Sequence, residues 1–392
     1  MGMVKHININ LGVFAPLLLS GLCLLASCRK DQEVFKKDEI RVEDGTKTRF
    51  SGFYLLNEGN MGSNKSTLDY FDFSTGTYLR NIYGQANPGI PKELGDVGND
   101  IAIYGSRLYA VMNASNKIEV MDAKTAKRLG QIDLPNARYM RFSGRYAYIT
   151  SYAGPIEINP DYTQKGFVAK VDTATLAIVA KCVVGFQPDG LDISGNMLYV
   201  ANSGGYMGAG DTDKYERTVS VIDLNSFTEL RRIDVAPNLD RVFTDKRGDI
   251  WVTSRGDYKQ LPAQLFFIDH VQQRVTDTIP MAVSTAFLDG DSLYVCSTEW
   301  HYANYSNVVS YGIIDTRSRN VLSRQLISDG TDKRIEVPYG IMVHPQTKDI
   351  YITDAGNYVS PGILYCFSPD GKKKWSVRTG DIPAHFALLP GI

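Results

Sequence analysis

Hydrophobic and polar positions along this chain recur in one short unit, repeated from end to end. An apolar–aromatic start, then β-formers, then a polar loop appears as FYLLNEG from Phe53, LYAVMNAS from Leu108, AYITSYAG from Ala147 and LYVANSGG from Leu198. It returns as IWVTSRGD from Ile250, LYVCSTEW from Leu293 and IYITDAGN from Ile350. A second motif is a run of β-formers with polar interruptions that ends in aspartate before a turn. Its copies reach Asp72, Asp122, Asp172, Asp223, Asp269 and Asp315, about every fifty residues; a seventh, ILYCFS to Ser368, carries Asp370 two places later. Such runs predict strands with two unlike faces. An aspartate leading into a turn can bond its own backbone two residues on, so these aspartates are expected to be structural. Tyr54, Tyr109, Tyr148, Tyr199, Tyr294 and Tyr351 occupy one position of the unit and are expected in the core.

Each unit reads as four short strands joined by three turns, with no long amphipathic helical pattern between them. Four-stranded units repeated radially are the blades of a propeller. Seven copies predict an all-β, seven-bladed β-propeller with four-stranded blades over residues 50–392. The tail, DIPAHFALLPGI, resembles the first strand of a blade with nothing after it. HFALL is therefore expected to supply the innermost strand of the blade begun by Phe53, so that the C-terminal strand closes the ring. A β-solenoid is excluded by repeat length.

Function is expected on the loops between the second and third strands, which vary greatly in length while the strands stay regular. They hold Tyr152, Tyr162, Tyr206, Tyr215, Arg255, Tyr258, Trp300, Tyr302, Tyr305 and Tyr358, among Asn, Ser and Gly. Tyr and Trp offer flat faces with a polar handle, while Asn and Arg fix orientation by hydrogen bonds. That chemistry suits a large, amphipathic, roughly neutral ligand. The strand starts facing the same channel include Asn99, Asp100, Tyr139, Asp189, Asp240, Arg241, Tyr339 and His385. Asp240 and Arg241 can equally form a structural pair there.

The N-terminus changes the picture of where this happens. Lys5 and His6 precede an apolar run from Leu11 to Leu25, then Leu25-Ala26-Ser27-Cys28. A short apolar stretch ending at small residues reads as a secretory signal over residues 1–27. Leu-Ala-Ser-Cys resembles the bacterial lipobox, which implies cleavage before Cys28 and acylation of its thiol; an ordinary signal with an incidental cysteine is the alternative. Several acyl chains on one residue would tether the protein without a spanning helix. Residues 28–49 are nearly all polar and are expected to form a flexible stalk.

Composition narrows the partners. Lys and Arg total 42 against 43 Asp and Glu, a formal net charge of −1, which argues against a nucleic-acid partner. Of five cysteines, Cys182, Cys296 and Cys366 remain after the signal and Cys28, each in an apolar run where cysteine packs as a small core residue. A pairing of any two is left open.

Little points to catalysis, and the chain is expected not to be an enzyme and to use no cofactor. His344 and His270 fall at turns, and His301 and His385, the ligand-facing candidates, lack partners at metal spacing. DTDKYE from Asp211 is faintly calcium-like but lacks the glycine and oxygen set of an EF-hand, so no metal is expected. No Gly-x-Ser-x-Gly elbow, Walker loop or His-Glu-x-x-His occurs.

The span from Phe53 to Leu389 resembles the YVTN/YncE-like surface-layer propeller lipoproteins of Bacteroidetes, on LLNEGNMGSNKSTLDYFD, GDVGNDIAIYGSRLYAV, NKIEVMDAKT and QPDGLDISGNMLYVANSGG. Within that group it is similar to the BtuG lipoproteins. The resemblance implies a protein lipid-anchored at the outer membrane and facing the cell exterior. It would capture cobalamin or a related corrinoid and pass it to a TonB-dependent transporter. No ligand motif of that family maps onto single residues here. The ligand-binding candidates, Tyr139, Tyr152, Tyr206, Arg241, Arg255, Tyr258, Trp300, Tyr302, Tyr339, Tyr358 and His385, come from propeller geometry. Two other classes stay open: a binder of a glycan, peptide or protein, and an extracytoplasmic hydrolase or lyase. An acidic–histidine cluster at the channel mouth would favour the last.

Overall fold

The repeated aspartate turns and alternating faces build seven antiparallel sheets in chain order, each a blade of a β-propeller. The computed structural model describes residues 39–90, 93–301 and 306–391. Blade one holds β1 (Glu39–Arg41), β2 (Phe50–Asn57), β3 (Thr67–Asp72) and β4 (Thr77–Leu79). Blade two holds β5–β8 (Gly98–Tyr104, Arg107–Met112, Lys117–Asp122, Arg128–Asp133). Blade three holds β9–β12 (Ala137–Ser143, Tyr146–Ser151, Phe167–Asp172, Ile178–Val183). Blade four holds β13–β16 (Pro188–Ser194, Met197–Asn202, Thr218–Asp223, Thr228–Asp234). Blade five holds β17–β20 (Leu239–Thr244, Ile250–Ser254, Gln264–Asp269, Arg274–Ile279). Blade six holds β21–β24 (Thr285–Asp289, Ser292–His301, Ser306–Asp315, Val321–Ser323). Blade seven holds β25–β28 (Pro338–Val343, Ile350–Asp354, Pro361–Phe367, Lys373–Asp381), and β29 (Pro383–Pro390) follows.

The strand β29 pairs with β2, Leu388 opposite Phe53 and Phe386 opposite Leu55, and so becomes the innermost strand of blade one. The ring closes as its tail predicts. The seam carries an aromatic core in which Phe53, Phe71 and Phe73 of blade one pack against Tyr351 and Trp375 of blade seven. Phe53 lies 5.0 Å from Tyr351 and Phe71 lies 5.0 Å from Trp375, ring to ring.

The turn aspartates do what their position predicts. The Oδ1 of Asp122 accepts the backbone N–H groups of Lys124 and Thr125, each at 3.0 Å. Asp315 accepts those of Arg317 at 2.7 Å and Ser318 at 2.9 Å. Tyr54, Tyr109, Tyr148, Tyr199 and Tyr351 are buried as expected, whereas Tyr294 is only half-buried.

One expectation needs correction. Part of the segment read as a stalk is structured: Ile40 pairs with Tyr78, so β1 adds a fifth strand to the outer edge of blade one. Polar composition misled because an edge strand gains its bonds from the backbone; Thr46 N–H donates to Phe73 O at 2.7 Å and Glu43 pairs with Lys374 at 3.0 Å. Residues 28–38, with Cys28 and the signal segment, lie outside the described residues. Two short helices also interrupt the loops, α1 (Ile82–Ala86) after blade one and α2 (Gly205–Gly210) between β14 and β15. Each is little more than one turn and has no apolar stripe for periodicity to reveal. No helix among the described residues is long and apolar enough to cross a membrane.

Candidate functional site

Near their starts, the inner strands bulge against their neighbours. The register shifts between Gly98 and Asp100, Pro188 and Leu191, Leu239 and Val242, and Pro338 and Ile341; in blade three it shifts opposite Arg138 and Tyr139. A bulge bends the strand and re-aims side chains. The residues caught in these bulges are Asn99, Arg138, Tyr139, Asp189, Asp240, Arg241 and Tyr339. Threonines at one repeated position pin three of the bulges. Thr150, Thr253 and Thr353 accept the N–H groups of Tyr139 (3.0 Å), Arg241 (2.9 Å) and Gly340 (2.7 Å). The hydroxyls of Thr150 and Thr353 also donate to the next inner strand, to Asp189 O at 2.8 Å and Pro383 O at 2.6 Å. Glycine at 190 and 340 permits this approach: a Cβ there would sit 2.4 Å from Asp240 O and 2.2 Å from Ala384 O.

The bulges deliver a charged floor to the mouth of the channel. Arg138 Nε donates to Asp189 Oδ1 at 2.9 Å, and Arg255 Nη1 reaches Asp189 Oδ2 at 3.5 Å. Arg255 Nη2 lies 2.7 Å from Asp240 Oδ1, too oblique for a hydrogen bond. Arg241 Nε stays 3.7 Å from that same oxygen, and its guanidinium rests over the Tyr139 ring at 4.4 Å. The short partner of Asp240 is thus Arg255; Arg241, its sequence neighbour, is the longer contact. Burial would raise the Asp189 carboxyl, but Arg138 and Arg255 hold it below the ordinary carboxylate range. Burial first, then Asp240 and Asp189, push the Tyr139 phenol up to about 12 despite the two arginines, so Tyr139 is neutral near pH 7.

Across the channel, Glu58 accepts from Tyr339 Oη at 3.0 Å and lies 3.0 Å from His385 Nε2. The acidic–histidine pair is present, but the carboxylate faces the opening and the imidazole stands behind it, only 11% exposed.

Two tyrosines stand over this floor in a shared loop design. Gly256-Asp257-Tyr258 and Gly356-Asn357-Tyr358 follow the second strands of blades five and seven, and both tyrosines have left-handed backbone, φ 57° and 61°. Asp257 Oδ1 accepts from the N–H groups of Lys259, Gln260 and Leu261, each at 2.8 Å, and Asn357 Oδ1 from those of Val359 and Ser360. Left-handed backbone also occurs at blade turns away from the cavity, as at Ala126, Leu176 and Phe227, so what sets these two tyrosines apart is their place in matched loops at the rim. Tyr358 packs edge-on against Tyr339 at 5.9 Å.

Floor and rim enclose a cavity of about 680 Å³, lined from every blade but the fourth. Of the residues expected at the site, Tyr139, Arg241, Arg255, Tyr258, Tyr339 and Tyr358 line it. Three others stand behind its wall. Tyr152 is buried beneath the Arg138 guanidinium, 4.9 Å above its ring, and meets Tyr206 of α2 edge-on at 5.0 Å. His385 touches the cavity only through Glu58. Tyr302 and the side chain of Trp300 lie outside the described residues, as do Tyr305 and the side chain of His301. Arg138, Glu58 and the Ser284–Ser297 hydroxyl pair also line the opening and were not anticipated. Glu58, in the NEGN block one residue past β2, was visible as a motif but not as a site.

His344 is buried at its turn, its Nδ1 accepting from Gln346 and Thr347, and burial lowers its basicity. Asp211 caps a single 3₁₀ turn through Asp213 N–H. Asp249, Asp269 and His270 come close enough to hold a cation, yet His270 Nδ1 already meets Asp249 at 2.7 Å and Asp269 holds its own turn. Cys182, Cys296 and Cys366 are free thiols buried in the blades.

Among solved structures, the fold is similar to a functionally unknown protein from Desulfotomaculum acetoxidans. The two are 10% identical with a TM-score of 0.60, covering 87% of this chain and all of that one. It is also similar to a quinonprotein alcohol dehydrogenase-like protein from Bacteroides thetaiotaomicron, 12% identical, TM-score 0.56, covering 88% of this chain and 79% of the other. Kuenenia stuttgartiensis hydrazine synthase is 18% identical with a TM-score of 0.54, over 70% of this chain and 77% of that one. At such identities these likenesses show the propeller alone. No curated protein matches the sequence. A family model described as a domain of unknown function, DUF5074, matches residues 51–379.

Proposed function

The chain belongs to the DUF5074 family, and we propose that it is a non-catalytic binding propeller that takes a small organic ligand into the cavity at the channel mouth. The observation that carries this reading is the cavity itself. Its volume of about 680 Å³ falls among ligand sites, and arginines and tyrosines from separate blades converge on it. Aromatic faces at the rim and guanidiniums on the floor favour a ligand with a flat apolar body and polar edges.

The narrower reading is a lipoprotein anchored through Cys28 at the outer membrane, facing outward, that captures cobalamin or a related corrinoid for a TonB-dependent transporter. Its support is the lipobox-like Leu25-Ala26-Ser27-Cys28 and the resemblance of the blade sequences, together with a mouth edged by amide-binding groups. A macrocycle larger than a drug-sized ligand would lay one edge in the cavity and rest on Tyr258 and Tyr358. Calorimetric titration of the full chain with cyanocobalamin tests it. One-to-one binding, weakened at least tenfold by Tyr258→Ala or Arg255→Ala, is expected. No heat at micromolar protein, with unchanged circular dichroism, rejects the corrinoid and leaves the cavity for another ligand.

The Glu58–His385 pair favours a second reading, a hydrolase or lyase with Glu58 as general base. Weighing against it, both carboxylate oxygens of Glu58 already have protein partners, Tyr339 Oη and His385 Nε2, each at 3.0 Å. Glu58 reads as an acceptor held in place by Tyr339 and His385.

A further inference from the structure

The guanidinium of Arg241 is a cation of the channel floor that lines the cavity with its Nε held by no hydrogen bond. Its side chain is only 21% exposed. Its Nε is buried with no hydrogen-bond partner, its nearest carboxylate oxygen being Asp240 Oδ1 at 3.7 Å. Buried donors are nearly always satisfied, and a charged one without a partner is costly. Among the neighbouring carboxylates, Asp240 Oδ1 lies nearer to Arg255, at 2.7 Å, than to Arg241 Nε, at 3.7 Å, and hydrogen-bonds neither, while Asp189 binds Arg138 at 2.9 Å. Asp100 accepts from Met140 N–H at 2.9 Å and Ile101 N–H at 3.0 Å, and Glu58 holds Tyr339 and His385. Three arginines thus meet two aspartates on the floor, and the Tyr139 ring beneath Arg241 fixes the guanidinium plane without using its N–H groups.

Resting on the ligand-binding reading above, we infer that the ligand presents a carboxylate to Arg241. A planar guanidinium receives a carboxylate through two parallel N–H···O bonds, the strong geometry for this pair. The carboxylate supplies Arg241 with acceptors in bonding geometry and a charge that offsets the third arginine of the floor. Asp240, Asp189 and Glu58 stand close enough that a dianionic phosphate would meet more repulsion than a singly charged carboxylate. The tyrosines at the rim then cover the apolar body that carries it.

The test uses fluorescent 2-naphthoate, its uncharged twin 2-naphthamide, and 2-naphthyl phosphate, titrated into the full chain. Naphthoate is expected to bind at least tenfold more tightly than naphthamide and than the phosphate. The preference over naphthamide should vanish in Arg241→Gln and persist in part in Arg241→Lys. Rising salt should weaken naphthoate and leave naphthamide unchanged. Equal binding of naphthoate and naphthamide overturns the carboxylate while leaving the cavity as a ligand site. Tighter binding of the phosphate, or an unchanged preference in Arg241→Gln, overturns it too. Binding of none of the three at millimolar concentration overturns both this inference and the small-ligand reading beneath it. The comparison of the three probes on the unaltered protein stands even if a variant fails to fold.

Discussion

Tyr258 shows at one position how function and stability pull apart. Its φ of 57° suits glycine or asparagine better than a bulky aromatic, and its ring is exposed at the cavity rim. Left-handed backbone at such a residue costs about 1–3 kcal/mol. Tyr258→Asn is therefore expected to raise the melting temperature while weakening ligand binding, read by thermal melts and titration on one preparation. The turn aspartates lead to a different expectation. The N–H of Ser226 holds the Asp223 carboxyl below its ordinary range, and those of Gln272 and Ser318 do the same for Asp269 and Asp315. A carboxyl with a depressed folded pKa binds fewer protons than in the unfolded chain. It contributes stability above the unfolded value of about 3.9, and that stability is lost as pH falls through the folded value. Melting temperature should thus drop progressively below about pH 4. Replacing Asp223, Asp269 and Asp315 with Asn should lower it at pH 7 and flatten the acid slope.

At the scale of elements, the threonines of the second strands join sheet regularity to the site. Thr150 is fully buried, accepts Tyr139 N–H and donates to Asp189 O. Thr150→Val keeps the shape and removes both bonds, leaving a buried donor and acceptor unpaired, at a cost of about 1–3 kcal/mol. The bulge holding Arg138 and Tyr139 should relax as well, so ligand affinity falls although Thr150 does not line the cavity. Denaturant titration and calorimetry read the two effects. This element also marks how far the sequence is legible. Strands and turns could be read because a run of β-formers and the aspartate turn that ends it are local, contained between Lys117 and Thr125 or between Thr218 and Ser226. Channel-facing positions such as Tyr139 and Arg241 followed from counting along each blade. The Asp240–Arg255 pairing could not be read, since it joins the start of β17 to the loop after β18 across a bulge. Arg138, the neighbour of Tyr139, was passed over because the bulge that brings both to the channel has no signal in the sequence. Thr150, Thr253 and Thr353 recur in AYITS, IWVTS and IYITD, a signal that was present and went unused. The strand β1 escaped because its bonds lie in the backbone of its partner.

Across the whole molecule, closure decides stability. Without β29, strand β2 would present an unpaired inner edge, and the aromatic seam between blades one and seven would open. A chain ended at Ile382 is expected to aggregate or to lose its cooperative melt. Phe53, fully buried among Phe71, Phe73, Tyr351 and Phe386, offers the milder perturbation. Phe53→Ala should destabilise by about 3–5 kcal/mol in a denaturant titration. A rigid ring of this kind lets bulged strands and strained loops aim arginines and tyrosines at one cavity without unfolding the blades that carry them. The central claim is that this cavity holds a small organic ligand. Thermal melting of the full chain against cyanocobalamin, aromatic carboxylates, oligosaccharides and short peptides tests it most directly. At a hundredfold excess over its dissociation constant a true ligand adds about 2.7 kcal/mol of stability. At least one of these should raise the melting temperature of the unaltered protein and not that of the Arg241→Gln, Arg255→Gln double variant. If none raises it, or if the rise survives in the double variant, the cavity is not the binding site.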